Sequence, residues 1–198
     1  MTRFVAVVVV CLAEVALAAP APPVGDILSH LEASAKSVHS LDAEFVQKNK
    51  VKLFKEELTS KGRVQFTPPR HLVWQYTSPD PSTLTVDGNR ATLSQPGAPE
   101  RTFDLEHDAT MRAVFDQLLA WLGPGSLAQL EGGYQLTSTG TAAQPALVMT
   151  PRPGTPMEKA FQRIELRLDG KSWLVTGISL VEKNGDEKVI TFTRMTRR

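Results

Sequence analysis

Residue types able to do chemistry are few in this chain, and they are scattered. The four histidines, His30, His39, His71 and His107, show no i, i+4 pairing and have no cysteine companion, so no metal site is expected. Ser126 lies in Gly123-Pro124-Gly125-Ser126-Leu127, which is not the Gly-x-Ser-x-Gly elbow of a nucleophilic serine and suits a helix cap. No phosphate-cradling glycine loop and no dinucleotide fingerprint occur. The carboxylate pair Glu56-Glu57 falls on a polar segment, where solvation accounts for it. No catalytic residue, cofactor or metal is therefore expected; a hydrolase would have to assemble its groups from distant parts of the chain.

What the sequence supplies instead is apolar surface at strand spacing. Within Gly62 to Gly88, Val64 and Phe66 share one side of a strand, Leu72, Trp74 and Tyr76 one side of the next, and Leu84 and Val86 one side of a third. Pro68-Pro69 and Ser78-Pro79-Asp80-Pro81 cannot donate ladder N–H groups and fall between strands; Asp87-Gly88 or Gly88-Asn89 suits a tight hairpin turn. Upstream, Leu41, Ala43 and Phe45 alternate with Asp42, Glu44 and Val46, and downstream Arg90 to Ser94 and Arg101 to Leu105 close a first run of strands. A second run is expected over Tyr134 to Thr139, Ala146 to Thr150, Phe161 to Leu168, Leu174 to Glu182 and Lys188 to Met195. Asp169-Gly170 and Asn184-Gly185 read as its hairpin turns, and Pro151 to Lys159 as a proline-rich loop.

Two helical segments must cover this surface. Asp26 is placed to cap a helix carrying Ile27, Leu28, Leu31, Ala35 and Val38, and Asp108 to cap another from about Ala109 to Leu122. The second bears a broad stripe of Met111, Val114, Phe115, Leu118, Leu119 and Leu122, widened by Trp121. Gly123-Pro124-Gly125 breaks it, and Ser126 can begin a short helix to Leu130. About ten or eleven strands without strand-helix alternation argue against a doubly wound fold and for one large antiparallel sheet. The expected class is α+β: a strongly curved, incompletely closed antiparallel β-barrel with helices covering the open side.

A hollow between such a sheet and its helices stays dry and admits acyl chains. From the first run of strands its expected lining is Phe45, Val64, Phe66, Leu72, Trp74, Leu84, Val86 and Phe103. The helix adds Phe115, Leu118, Leu119 and Leu122, and the second run adds Ile164, Leu166, Ile178, Leu180, Ile190 and Phe192. Each buried methylene gains roughly 0.8 kcal/mol, so a chain of about fifteen gains on the order of 10 kcal/mol gross, without an ion pair or metal.

Composition fits one soluble domain: 198 residues, 41% hydrophobic and 22% charged, with a net charge of +1 that gives no reason to expect nucleic acid. The basic cluster Arg194, Arg197 and Arg198 reads as a solvated tail. Residues 1 to 18 have the parts of a cleaved secretory signal: Arg3, an apolar run from Phe4 to Leu12, and Ala16-Leu17-Ala18 as the cleavage site. Cys11 is the single cysteine and lies inside that signal, so residues 19 to 198 form one domain with neither disulfide nor lipid anchor.

The order Phe45-x-Gln47-Lys48, Gly62 ahead of Pro69, Trp74 after it, a second proline patch at Pro79, and Val86-Asp87-Gly88 resembles the periplasmic outer-membrane lipoprotein carrier family, the LolA type. That resemblance implies a periplasmic chaperone, a monomer, that takes acylated lipoprotein from an inner-membrane exporter complex to an outer-membrane acceptor, with transient membrane-surface contact. A free acylated lipid, glycolipid or polyene lipid could use the same cavity. The family commonly has an arginine directly before the proline at 69, where it helps hold a helical lid closed. Pro68 stands there in this chain and Arg70 lies one place beyond, which makes Arg70 the candidate lid or rim residue. The family's Trp-x-Tyr after the Asp-Gly turn is replaced by Ala91, Thr92, Leu93 and Ser94.

Overall fold

The computed structural model of the chain describes residues 19–52, 57–122 and 131–198. The expected signal, the connection within Val51 to Glu57 and the expected short helix at Ser126 to Leu130 fall wholly or partly outside those residues. The elements are α1 (Val24–Lys36), β1 (Leu41–Lys50), β2 (Glu57–Thr67), β3 (His71–Ser78), β4 (Ser82–Asp87), β5 (Arg90–Ser94) and β6 (Arg101–Asp104). These are followed by α2 (Ala109–Leu122), β7 (Tyr134–Gly140), β8 (Pro145–Pro151), α3 (Pro156–Ala160), β9 (Phe161–Leu168), β10 (Val175–Glu182) and β11 (Glu187–Arg197).

The strands make one eleven-stranded sheet ordered β6-β5-β4-β3-β2-β1-β11-β10-β9-β8-β7, antiparallel at every pair. Two meanders, β1 to β6 and β7 to β11, meet where the first strand pairs with the last. The sheet is an incompletely closed barrel: β6 and β7 are its free edges, and α2 lies in the connection between them. Strand alternation fixes which face is inside. In β1, Leu41, Ala43, Phe45 and Gln47 are buried while Asp42, Glu44 and Lys48 are exposed. Register extends this face across the sheet: Leu41 pairs with Phe66, Phe66 with Leu72, Leu72 with Val86, and Val86 with Ala91. On the other wing Ile190 pairs with Ile178, Ile178 with Leu166, and Leu166 with Leu147.

Helix α1 buries Ile27, Leu28, Leu31 and Ser34. Its neighbours are β7, β8 and the β9–β10 loop: Ser34 Oγ donates to Ser172 O at 3.0 Å, and His30 stacks on Trp173 with ring centroids 4.2 Å apart. Asp26 does not cap it. The helix starts earlier, after Pro23, whose φ of −55° and ψ of 152° set the entry, and Asp26 sits in the first turn, where its charge favours the helix N-terminus. Val38 is buried just past the helix end.

Two turns also differ from expectation. The Asp169-Gly170 hairpin is a longer loop, because Asp169 Oδ1 accepts from Ser172 N at 2.7 Å, Ser172 Oγ at 2.9 Å and Lys171 N at 3.1 Å. The positive φ of 58° falls on Trp173, not on the glycine. Gly170 serves close approach instead: a Cβ there would lie 2.1 Å from Ala142 O. Within the expected loop Pro151 to Lys159, residues Pro156–Ala160 form the short helix α3, with Pro156 at its first turn. The Asn184-Gly185 turn forms as expected, with Gly185 at φ 88°.

Candidate functional site

Phe45 stands at the centre of the concave face. Its ring lies 4.8 Å from Trp74 and 5.2 Å, edge on, from Tyr76. It fits because Gly62, its partner on β2, has no side chain: a Cβ at residue 62 would come within 2.4 Å of Phe45 Cζ and 2.1 Å of Gln75 O. Trp74 and Phe192 meet at 6.0 Å although two strands, β2 and β1, separate theirs. On a flat sheet those strands would be about 14 Å apart. The meeting of their rings reflects the curvature that turns this face into a trough.

The residues expected to line a hollow gather in and around one apolar cluster. Phe45, Val64, Phe66, Leu72, Trp74 and Val86 are buried on the first wing; Ile164, Leu166, Ile178, Ile190 and Phe192 are buried on the second. From α2, Phe115, Leu119 and Leu122 are buried. Leu84, Phe103, Leu118 and Leu180 are only half-buried, packed against the core yet still reached by solvent. Leu136 behaves likewise. These apolar side chains are therefore incompletely covered.

Local chemistry sets the position of α2. Asp108 caps it as expected, its Oδ1 accepting from Met111 N at 2.9 Å. Arg112 Nε donates to Leu105 O at 2.6 Å, tying the first turn to the end of β6, and Phe115 packs against Phe103 at 6.3 Å. The second tie is Arg70. From the turn between β2 and β3 its Nε donates to Gly88 O at 2.9 Å, and its guanidinium pairs with Asp116 on α2. Its Nη2 is buried with no hydrogen-bond partner among the described residues. The sequence pointed to Arg70 but not to Asp116, which lies 46 positions away on a helix whose rotation only packing fixes.

Polar groups within the trough are few. Gln47, buried in an otherwise apolar register, donates from Nε2 to Asn49 Oδ1 at 2.9 Å and accepts from Tyr76 OH at 2.8 Å. Burial pushes the Tyr76 phenol above its ordinary value and that of Tyr134 up to about 12, so both stay neutral. Among the described residues no group of three His, Cys, Asp or Glu side chains could hold a metal ion, and no helix is long and apolar enough to cross a membrane.

A profile of the family described as outer membrane lipoprotein carrier protein LolA matches residues 36–198. The chain belongs to this family. The matched stretch of the LolA-family chain begins at the end of α1 and takes in all eleven strands and α2. Among solved structures it is similar to a LolA superfamily protein from Nitrosomonas europaea, at 12% identity, 90% and 94% coverage of this chain and that one, and a TM-score of 0.46. It is similar to the Mycobacterium tuberculosis lipoprotein LppX at 14% identity, 87% and 96% coverage, and a TM-score of 0.49. MucB in the Pseudomonas aeruginosa MucA/MucB complex matches at 18% identity, 86% of this chain and 56% of that one, and a TM-score of 0.48. A comparison with curated proteins gives no match.

Proposed function

We propose that this LolA-family protein is a soluble periplasmic carrier that holds the acyl chains of lipoproteins in its trough and moves them from the inner to the outer membrane. Residues 1 to 18 direct export and are removed. An inner-membrane exporter complex supplies the cargo, an outer-membrane acceptor receives it, and the carrier works as a monomer with brief membrane-surface contact. The observation that carries this reading is the half-covered apolar surface: Leu84, Phe103 and Leu180 on the sheet and Leu118 on α2. Apolar side chains kept partly in water gain free energy when a hydrocarbon covers them, at about 25 cal/mol per Å2. Holding by this means is non-directional, which suits release as well as uptake. The role needs no catalytic residue, cofactor or metal, and the Arg70–Asp116 pair acts as the latch that keeps α2 over the trough.

The test is retention of detergent-solubilised triacylated lipoprotein by the purified mature protein, compared with free lipids. The reading expects co-elution with lipoprotein. Leu118→Arg should weaken it at least tenfold by placing an unpaired cation against the acyl chain, whereas Glu165→Arg on the outer face should not. Retention of free lipids alone would make the protein a carrier of a free acylated lipid, glycolipid or polyene lipid. A folded Leu118→Arg variant that carries cargo normally would show that α2 does not line the site.

A further inference from the structure

The two ends of the trough differ. At the end formed by Leu41, Phe66, Leu72, Val86, Ala91 and Leu105, every side chain is 4% exposed or less. At the opposite end polar groups enter the inward register, beside the exposed Leu58 that pairs with Asn49. Gln47 follows Phe45 on the buried side of β1, where strand parity asks for an apolar residue. Asn49, two positions on, pairs across the sheet with Lys188, and Lys188 pairs with Leu180. Lys188 Nζ forms an ion pair with Glu182. Tyr76 completes the rim, its OH donating to Gln47, and the residue also borders a recess of about 370 Å3 walled by Ser82, Ser94 and Gln95. Asn49, Tyr76, Ser82 and Lys188 are all half-buried, so this end is open to solvent; at the other the six apolar side chains are shut away, and solvent reaches their neighbours Phe103, beside Ala91, and Arg197, beside Leu41.

Burying an amide on an apolar face is costly unless its hydrogen-bonding capacity is used. In Gln47, Asn49 and Tyr76 that capacity is directed at one another along the rim, where an incoming polar group can share it. Resting on the carrier reading, we infer that this rim is a head-group subsite that orients the cargo: the hydrocarbon tail points toward Leu41 and Leu105, and an uncharged ester or amide head lies against Gln47, Asn49 and Tyr76. The charge balance selects the head. Among the described residues of the rim Lys188 is already neutralised by Glu182, so a free carboxylate would give up part of its hydration and meet no net positive charge. An ester or amide brings acceptors, and in the amide a donor, at far smaller desolvation cost.

The experiment measures binding of three probes of equal chain length to the mature protein: methyl palmitate, palmitate and hexadecane. The wild type should bind methyl palmitate about tenfold more tightly than palmitate. Gln47→Leu, and separately Tyr76→Phe, which keeps the ring beside Phe45, should weaken methyl palmitate by about five- to tenfold and leave hexadecane unchanged. Equal affinity of wild type and both variants for methyl palmitate overturns the subsite, as does tighter wild-type binding of palmitate. In both cases hexadecane still binds and the carrier reading survives. Failure of the wild type to bind any of the three overturns the carrier reading, and this inference with it.

Discussion

Gly62→Ala tests the packing on which the trough depends. The new Cβ would lie 2.1 Å from Gln75 O and 2.4 and 2.7 Å from Phe45 Cζ and Cε1. Carbon atoms rest at about 3.5–4.0 Å, so the ring has to move by more than ~1 Å. It has nowhere to go: Phe45 is 1% exposed and closed in by Trp74 and Tyr76. Overpacking of this kind costs about 1–3 kcal/mol, and pushing Gln75 O off its place in the sheet adds about 1 kcal/mol. The expected loss is about 3 kcal/mol, which for a domain of this size lowers the melting temperature by roughly 6–12 °C. Thermal unfolding followed by circular dichroism measures it, and a urea titration should show a lower midpoint with unchanged slope. Phe45→Leu in the Gly62→Ala background should recover about 1 kcal/mol, because the two changes share one contact. A melting temperature for Gly62→Ala within about 2 °C of wild type would refute the argument that residue 62 must be glycine for Phe45 to lie where it does.

Arg70→Leu and Asp116→Asn should each release α2. The side chains are 29% and 30% exposed, so after solvent screening the pair is worth about 1 kcal/mol, and release of a fluorescent acyl probe should quicken about fivefold in either variant. Raising salt should quicken release in the wild type and not in the variants, and identical rates in all three proteins would remove the latch. Asp169 supplies a pH test. Hydrogen bonds from Ser172 N, then Ser172 Oγ, with Lys171 N adding less, hold its carboxyl below the ordinary 3.8, so the stability it contributes is complete above that value and is lost as pH falls through the lower folded value. Asp169→Ala should therefore lower the urea midpoint at neutral pH and narrow the gap between neutral pH and about pH 3, whereas an undiminished gap would assign the acid sensitivity elsewhere.

Much of this architecture was legible in one dimension because it rests on local alternation. The period of two over Leu41 to Phe45, Leu72 to Tyr76 and Ile164 to Leu168, with prolines and Gly88 or Gly185 at the turns, suffices to place strands and to say which side chains share a face. The stripe on α2 and its Asp108 cap are equally local. Contacts that join distant segments were not legible. Asp116 meets Arg70 only once the sheet has curved and α2 has rotated, and Trp173 takes up positive φ because Asp169 draws its own loop closed and α1 stacks His30 on the ring. Nor does a strand pattern state how far a sheet bends. That is decided by side-chain volume across the concave face, where Gly62 makes room for Phe45 and Trp74 reaches Phe192. The sequence by itself determined an apolar face and the pieces to cover it. Which side chains meet across that face followed only from the register of eleven strands, because neighbours across a sheet are set by pairing and not by their order along the chain.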